Sequence, residues 1–298
     1  MTKEKKISLL AGAGMLLCAF IWGFAFVVVK TSLDLVPPIY MMAFRFTIAF
    51  AALCAVFFRR LFNMAKETIR CGAVIGVFLF LAYLVQTIGC QYTTAGKNAF
   101  LTAVYVILVP FMHFFVSKKQ ISRYHVGAAF LAFTGIGLLS LQGDKGMNIG
   151  DLLTILCGVL FAFQIVFIDK YTQKEDPVLL TILQIGFSAL FSWILAPVAE
   201  GMPGSLTVSA PLLISMLYLG LFSTMIAFLL QNVCQKYAHP AAAAVLLSME
   251  SVFGVLCSAF FIGERMTPRM LTGCVLMFAA ILLTETLGDR KDKCKNNV

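Results

Sequence analysis

Apolar runs of about twenty residues recur along the whole chain, and this feature most limits what the chain can fold into. The hydrocarbon core of a bilayer is about 30 Å thick, so a helix that crosses it needs about 20 apolar residues. Hydrophobic residues make up 60% of the 298 residues and charged residues only 12%, which is too few to cover a soluble domain of this length. The sequence therefore predicts an all-α integral membrane protein.

Ten transmembrane helices are predicted from these runs. They cover residues 7–29, 37–58, 69–91, 95–117, 123–142, 150–169, 177–200, 210–236, 239–262 and 268–288. The first run follows three lysines, as a signal peptide would, but its apolar stretch is long and lacks a small-x-small cleavage site before a polar region. We interpret it as a retained first span.

The net charge of +9 is explained by the distribution of the basic residues. If the amino terminus is cytoplasmic, seventeen of the 23 Lys and Arg residues fall on the cytoplasmic side, five fall on the opposite side and Arg45 lies within a span. The positive-inside rule then predicts that both termini are cytoplasmic, which requires an even number of helices. Because charge sets the topology here, nucleic acid is excluded as a partner.

An internal repeat divides the chain into two halves. Residues 99–127 align with residues 245–273 at an offset of 146, and Lys30 and Pro37 recur at an offset of 140. We expect a first repeat over residues 1–142, a second over 149–288 and a cytoplasmic basic tail over 289–298. Five helices in each half would place the second half upside down in the membrane, so the fold predicted is two inverted five-helix repeats.

Motifs for other chemistry are missing from the sequence. The nine cysteines form no CxxC pair and only three histidines are present, so neither a metal site nor a cofactor is expected. No GxxxxGK[ST] segment would bind ATP. An intramembrane enzyme would need a serine nucleophile elbow, a paired-aspartate metal motif or a histidine cluster, and a passive channel stays open as an alternative to a carrier.

Several segments resemble the EamA family of the drug/metabolite transporter superfamily. They are FIWGFAFVVVK (20–30), FRF (44–46), YTTAGKNAFLTAVYVILVP (92–110) and HPAAAAVLLSMESVFGVLCSAFFIGERMTPRMLTG (239–273). The resemblance implies ten helices in two inverted repeats. It also implies transport of small metabolites, often amino acids outward, across the cytoplasmic membrane of a prokaryote.

Two positions depart from the family pattern. The family's glutamate-proline pair in the ninth helix reads Glu250 Ser251 here, and a glycine-glutamate-arginine triplet after the fourth helix reads Ser117 Lys118 Lys119. Without the proline, we expect the ninth helix to be straighter at this point.

Polar and aromatic side chains line up at helical spacing on the helices that, by the resemblance, surround a central cavity. Asn98, Thr102 and Tyr105 would form one stripe of the fourth helix, since they are spaced i, i+4 and i+7. The other cavity candidates are Trp22, Phe26, Tyr83, Gln86, Gln164, Thr224, Phe228 and Gln231. Such stripes also serve as contacts between helices, worth about 0.6 kcal/mol per polar pair.

Glu250 is a carboxylate in the middle of an apolar run, where insertion costs on the order of 2.5 to 3.5 kcal/mol. It has two interpretations. In one, it forms a structural ion pair, most plausibly with Arg45. In the other, it contacts a cationic group of the substrate or carries a proton, and is then a candidate for proton coupling.

The leading hypothesis is therefore a secondary transporter that works by alternating access. A cavity with aromatic rings, amides, hydroxyls and one acid suits a zwitterion or an amphipathic metabolite, and aromatic and other neutral amino acids are the first expectation. The expected partners are a small-molecule substrate, the lipid bilayer and, if Glu250 carries one, the proton. No oligomeric state is predicted.

Overall fold

The structure is a computed structural model that describes residues 3–62, 64–117, 123–140, 148–202, 209–261 and 268–283. Within these ranges every regular element is helical. The elements are α1 (Lys3–Ser32), α2 (Pro38–Leu61), α3 (Lys66–Tyr92), α4 (Ala95–Thr102), α5 (Tyr105–Ser117), α6 (Arg123–Ser140), α7 (Ile149–Thr172), α8 (Pro177–Ala199), α9 (Ala210–Leu217), the π-helical segment π1 (Tyr218–Ile226), α10 (Ala227–Gln235), α11 (Pro240–Leu247), α12 (Glu250–Phe261) and α13 (Pro268–Leu283). The predicted tail at 289–298 and most of the linker between the predicted repeats lie outside the described residues.

Seven helical stretches in the described part of the chain are long and apolar enough to cross a bilayer. They are Lys6–Ser32, Pro38–Leu61, Lys66–Tyr92, Ile149–Thr172, Pro177–Ala199, Ala210–Gln235 and Pro240–Phe261. Two shorter apolar stretches cover Tyr105–Val116 and Val126–Gly135. The prediction of an all-α, multi-pass membrane protein is confirmed.

Helix starts follow from local sequence. Pro38 and Pro177 open α2 and α8, where the missing N–H of proline costs nothing. α7 begins with a capping box, in which Asn148 and Asp151 each accept a hydrogen bond from the other's backbone N–H. These caps set the ends of the long helices without any contribution from the membrane.

The fourth predicted helix is broken, contrary to the prediction of one continuous helix over 95–117. α4 ends at Thr102 and α5 begins at Tyr105. Between them the backbone makes tighter bonds to the third residue back, such as Val104 N–H to the Leu101 carbonyl at 3.3 Å and Val106 N–H to the Ala103 carbonyl at 3.0 Å. Thr102 and Tyr105 therefore do not share the uninterrupted stripe that their spacing predicts.

The ninth predicted helix is also broken, so the expectation of a straighter helix without proline is wrong. α11 ends at Leu247 and α12 begins at Glu250. The Ser248 hydroxyl donates to the Val245 carbonyl at 2.8 Å, and the Ser251 N–H bonds the Ser248 carbonyl at 3.1 Å. A serine that bonds the preceding turn competes with the regular helix pattern and bends it, as a proline would.

Close packing joins the helices into one bundle. α3 lies against α7 and α8, α2 against α8, α1 against α10 and α12, and α6 against α13. Gly23 permits the approach of α1 to α12, since a Cβ there would lie 2.5 Å from the Phe253 Cβ and 2.8 Å from the Gly254 nitrogen. Small residues at such crossings are typical of helices packed within a membrane.

Candidate functional site

A cavity lies inside the bundle, where nine elements meet: α1, α2, α3, α5, α7, π1, α10, α11 and α12. Eight of the predicted cavity residues line it: Trp22, Phe26, Tyr83, Gln86, Tyr105, Gln164, Gln231 and Glu250. About 40 Å³ of its space can hold the centre of a water molecule, which is enough for a few waters. The cavity is therefore narrow in this conformation.

Two predicted residues of α4 lie behind the cavity wall instead of in it. The Gln86 side-chain amide donates to the Thr102 hydroxyl at 3.1 Å, and the Asn98 amide donates to the Gln86 backbone carbonyl at 3.1 Å. Asn98 also donates to the Thr154 hydroxyl on α7 at 3.0 Å. Asn98 and Thr102 thus hold Gln86 in place through hydrogen bonds. The helix is broken between Thr102 and Tyr105, so these two residues do not face the cavity as Tyr105 does.

The π-helical segment changes which residue of the eighth predicted span faces the cavity. Thr224 is buried outside the cavity lining, and its hydroxyl donates to the Leu219 carbonyl five residues back at 2.7 Å. Ser223 lines the cavity in its place. A π-helix has more residues per turn than an α-helix, so residues at α-helical spacing from Thr224 do not all point to the same side of this segment. Such π-helical bulges are frequent at functional sites.

Aromatic rings form much of the wall. Phe228, predicted for the cavity, lies behind it, with its ring centroid 5.1 Å from that of Trp22 and 6.0 Å from that of Tyr83. The Trp22 indole N–H donates to the Ser223 carbonyl at 2.9 Å. Phe161, on α7, lies 5.6 Å from Tyr83 between ring centroids. The rings pack against one another, so the wall they form is held in one arrangement.

Glu250 is the first residue of α12 and is 4% exposed. The Tyr105 hydroxyl donates to its Oε1 at 3.1 Å. The expected ion pair with Arg45 is not formed, because no nitrogen of Arg45 lies within 4.0 Å of a carboxylate oxygen anywhere in the described chain. The carboxylate therefore faces the cavity with a neutral hydroxyl as its partner.

Arg45 lines the same cavity and was not among the predicted site residues. It is 2% exposed; its Nε donates to the Thr224 hydroxyl and its Nη2 to the Ser223 hydroxyl, each at 3.0 Å. The guanidinium carbon lies 4.6 Å from the centroid of the Tyr83 ring, a cation–π contact. The signal in the sequence was the charge itself, since an arginine inside an apolar run marks a functional position by default.

A chain of amides borders the cavity on the side of α7 and α10. The Gln231 amide donates to the Gln164 Oε1 at 3.4 Å, and the Gln164 amide donates to the Gln184 Oε1 at 3.3 Å. The Gln231 Oε1 is buried and accepts no hydrogen bond from the described residues. It is therefore an open acceptor in the wall of the cavity.

An ion pair and a histidine–aspartate contact lie at opposite ends of α7, with the cavity residue Gln164 between them. At one end Lys97 Nζ lies 3.2 Å from Asp151 Oδ2. At the other end His113 Nε2 lies 3.3 Å from Asp169 Oδ2. The two aspartates are eighteen positions apart, which corresponds to about 27 Å of helix, close to the thickness of the hydrocarbon core. The cavity thus occupies the interior of the bundle, away from both ends.

No cluster of three or more His, Cys, Asp or Glu that could hold a metal ion occurs in the part of the chain that the structure describes. The polar groups of the cavity are instead one guanidinium, one carboxylate, three amides and several hydroxyls. Such groups bind and orient a small organic molecule through hydrogen bonds and charge.

Known proteins resemble this chain along its whole length. The model of the EamA-like transporter family matches residues 9–141 and again residues 148–286. An uncharacterized transporter from Archaeoglobus fulgidus is 34% identical over 275 residues, which cover 92% of this chain and 85% of the relative. A probable amino-acid metabolite efflux pump from Salmonella typhimurium is 24% identical over 284 residues, covering 90% of this chain and 92% of the pump.

A protein of known crystal structure has the same fold. It superimposes with a TM-score of 0.77 at 19% identity and covers 95% of this chain and 98% of its own. The double match of the family model spans nearly the whole chain, and the two relatives are named as a transporter and an efflux pump. The chain belongs to the EamA-like transporter family.

Proposed function

We propose that this protein is a secondary carrier that moves a small amphipathic metabolite, an amino acid or a related compound, out of the cell by alternating access. The observation that carries the proposal is the buried cavity at which two broken helices meet, with Tyr105 and Glu250 at their breaks. Irregular backbone at membrane depth is tolerated where it lines a cavity, and carriers place their binding sites at such breaks.

The two halves of the chain support an inverted repeat. α4 and α5 begin at residues 95 and 105, α11 and α12 begin at 240 and 250, and both pairs are therefore related by an offset of 145. Counted over the described residues, each half contains five helical passes, if α4–α5, α9–π1–α10 and α11–α12 each form one pass. We propose ten transmembrane helices in two inverted repeats, residues 1–142 and 149–288, followed by the basic tail 289–298.

The repeat gives the proposed mechanism. Tyr105 and Glu250 are the first residues of α5 and α12, which correspond at the offset of 145, one residue less than the offset of the sequence alignment. Their hydrogen bond of 3.1 Å supports a cavity on an approximate two-fold axis between the halves. Rocking of one half against the other about this point would open the cavity to one side and then to the other. The ion pair Lys97–Asp151 and the contact His113–Asp169 would separate and reform as each end opens.

The orientation follows from charge. With both termini cytoplasmic, most Lys and Arg residues lie on the cytoplasmic side, as the positive-inside rule requires. We assign the protein to the cytoplasmic membrane of a prokaryote on this basis and on that of its relatives. Relatives named as amino-acid metabolite efflux pumps support export as the direction.

The proposal is tested with purified protein reconstituted in lipid vesicles. Uptake of labelled amino acids and related metabolites is measured with and without an imposed proton gradient, against empty vesicles and against Phe260→Leu, a change on a side chain that is 83% exposed. A carrier gives saturable flux and accumulation against the substrate gradient for at least one compound. Flux that never saturates and never accumulates indicates a channel, and no flux for any compound refutes transport of this substrate class.

A further inference from the structure

Arg45 carries a buried charge with no opposite charge beside it. Its partners are the neutral hydroxyls of Ser223 and Thr224 and the ring of Tyr83. A guanidinium has five N–H donors, and the Ser223 and Thr224 hydroxyls accept from two of them. Buried charges in proteins are paired or they bind something, because an isolated one is costly to remove from water.

Glu250 is in the same situation with the opposite sign. It is buried, lines the same cavity as Arg45 and accepts a hydrogen bond from a neutral hydroxyl. The two are the charged side chains of this cavity, and they do not neutralise each other. A molecule that carries both a negative and a positive group would satisfy both at once.

From this geometry, and resting on the proposed function, we infer that Arg45 binds the anionic end of the substrate, a carboxylate, while Glu250 binds its ammonium group. Ser223 and Thr224 hold the guanidinium through Nε and Nη2 and use two of its five N–H donors, which leaves further donors for a ligand. The fork of an arginine matches a carboxylate in a way that a lysine does not.

The rest of the substrate is expected to be apolar and flat. Trp22, Phe26, Tyr83 and Phe161 line the space around the two charges. Aromatic side chains provide apolar contact, and aromatic pairs prefer offset-stacked or edge-to-face arrangements. An aromatic amino acid therefore serves as the probe, with two analogues that each lack one charge.

A purely structural role for Arg45 makes a different prediction. Arg45 on α2 bonds two residues of π1, so its loss would loosen that contact and weaken the binding of every ligand alike. A role in binding would weaken only ligands that carry a carboxylate.

The experiment measures binding of phenylalanine, 3-phenylpropionate and phenethylamine to the purified full chain by calorimetry. Arg45→Gln should weaken phenylalanine and 3-phenylpropionate roughly 10- to 100-fold, the value of one or two lost charge-assisted hydrogen bonds, and leave phenethylamine unchanged. Glu250→Gln should weaken phenylalanine and phenethylamine and leave 3-phenylpropionate unchanged. Arg45→Lys should restore part of the loss.

The inference is overturned if Arg45→Gln weakens the binding of all three ligands equally. It is also overturned if the wild-type protein binds none of them, or binds phenethylamine as tightly as phenylalanine. The outcome is separate from that of the transport assay. If each substitution weakens only the ligands that carry the matching charge, but no transport is measured, the carrier is refuted and the binding site is retained. If transport is measured without this binding pattern, the binding site is refuted and the carrier is retained.

Discussion

The hydrogen bond between Tyr105 and Glu250 joins the two halves of the chain at the centre of the cavity, so its strength can be measured as a coupling free energy. The cycle consists of Tyr105→Phe, Glu250→Leu and the double variant. Tyr105→Phe removes the donor, and Glu250→Leu removes the acceptor while keeping an apolar side chain of similar length. The difference between the double variant and the sum of the singles isolates the interaction.

The structure sets the expected magnitude. The separation of 3.1 Å is slightly long for an O–H···O bond, which points away from the 1.5–3 kcal/mol typical of charged acceptors. Bonds between membrane helices average about 0.6 kcal/mol and reach about 1.7 kcal/mol. Since both side chains are nearly inaccessible to water, we expect a coupling of about 1 kcal/mol.

The assay is reversible unfolding of the purified protein in mixed detergent micelles, followed by circular dichroism. Tyr40→Phe is the matched control, because the Tyr40 hydroxyl bonds the Gly201 carbonyl at 2.8 Å and makes no contact with Glu250. The control cycle should be additive. A coupling below about 0.3 kcal/mol for Tyr105 and Glu250, within the scatter of independent sites, would refute the contact and with it the meeting of the two halves at this point.

Three further predictions concern single substitutions. Glu250→Gln should abolish the dependence of vesicle transport on pH while the folded protein stays abundant by size-exclusion chromatography, and an unchanged pH profile would count against proton coupling. Gly23→Ala should cost about 1–3 kcal/mol in unfolding free energy, because its Cβ meets α12 at 2.5 Å, whereas Gly127→Ala, which meets nothing within 4 Å, should be neutral or slightly stabilising. Asp151→Asn should lower the melting temperature, since it removes the ion pair with Lys97. The pair contributes about 1–3 kcal/mol, because Asp151 is buried and Lys97 is partly exposed. An unchanged melting temperature would show that the pair does not stabilise the fold.

Much of the fold was readable from hydropathy and charge. Apolar length predicted the long helices to within a few residues, as in α2, predicted at 37–58 and found at Pro38–Leu61. Hydropathy is an average over a window, however, and a window with a high mean can contain a break, as Pro240–Phe261 does at a mean hydropathy of 1.9. The breaks at 103–104 and 248–249 depend on which backbone carbonyl accepts the hydrogen bond of each N–H, and residue type determines this only weakly.

The site was predicted in part, and the misses have a common cause. Helical spacing assumes 3.6 residues per turn, which is why Thr224 was expected in the cavity where π1 presents Ser223. From the sequence, Arg45 is expected as an ion-pair partner of Glu250 in one of the two interpretations, since opposite charges in apolar surroundings are expected to pair. The structure instead satisfies it with hydroxyls from π1, an element whose geometry the sequence does not reveal.

Accessibility of the cavity from both faces of the membrane tests the central claim most directly. Ala25 lines the cavity and is buried, so Ala25→Cys, introduced into a transport-competent variant that lacks the nine native cysteines, reports on access there. A charged, membrane-impermeant thiol reagent is added to right-side-out cells and to inverted vesicles, with and without a saturating concentration of a transported compound. Alternating access predicts labelling from each face and protection by the substrate; labelling from one face alone, or labelling that the substrate does not slow, would contradict it.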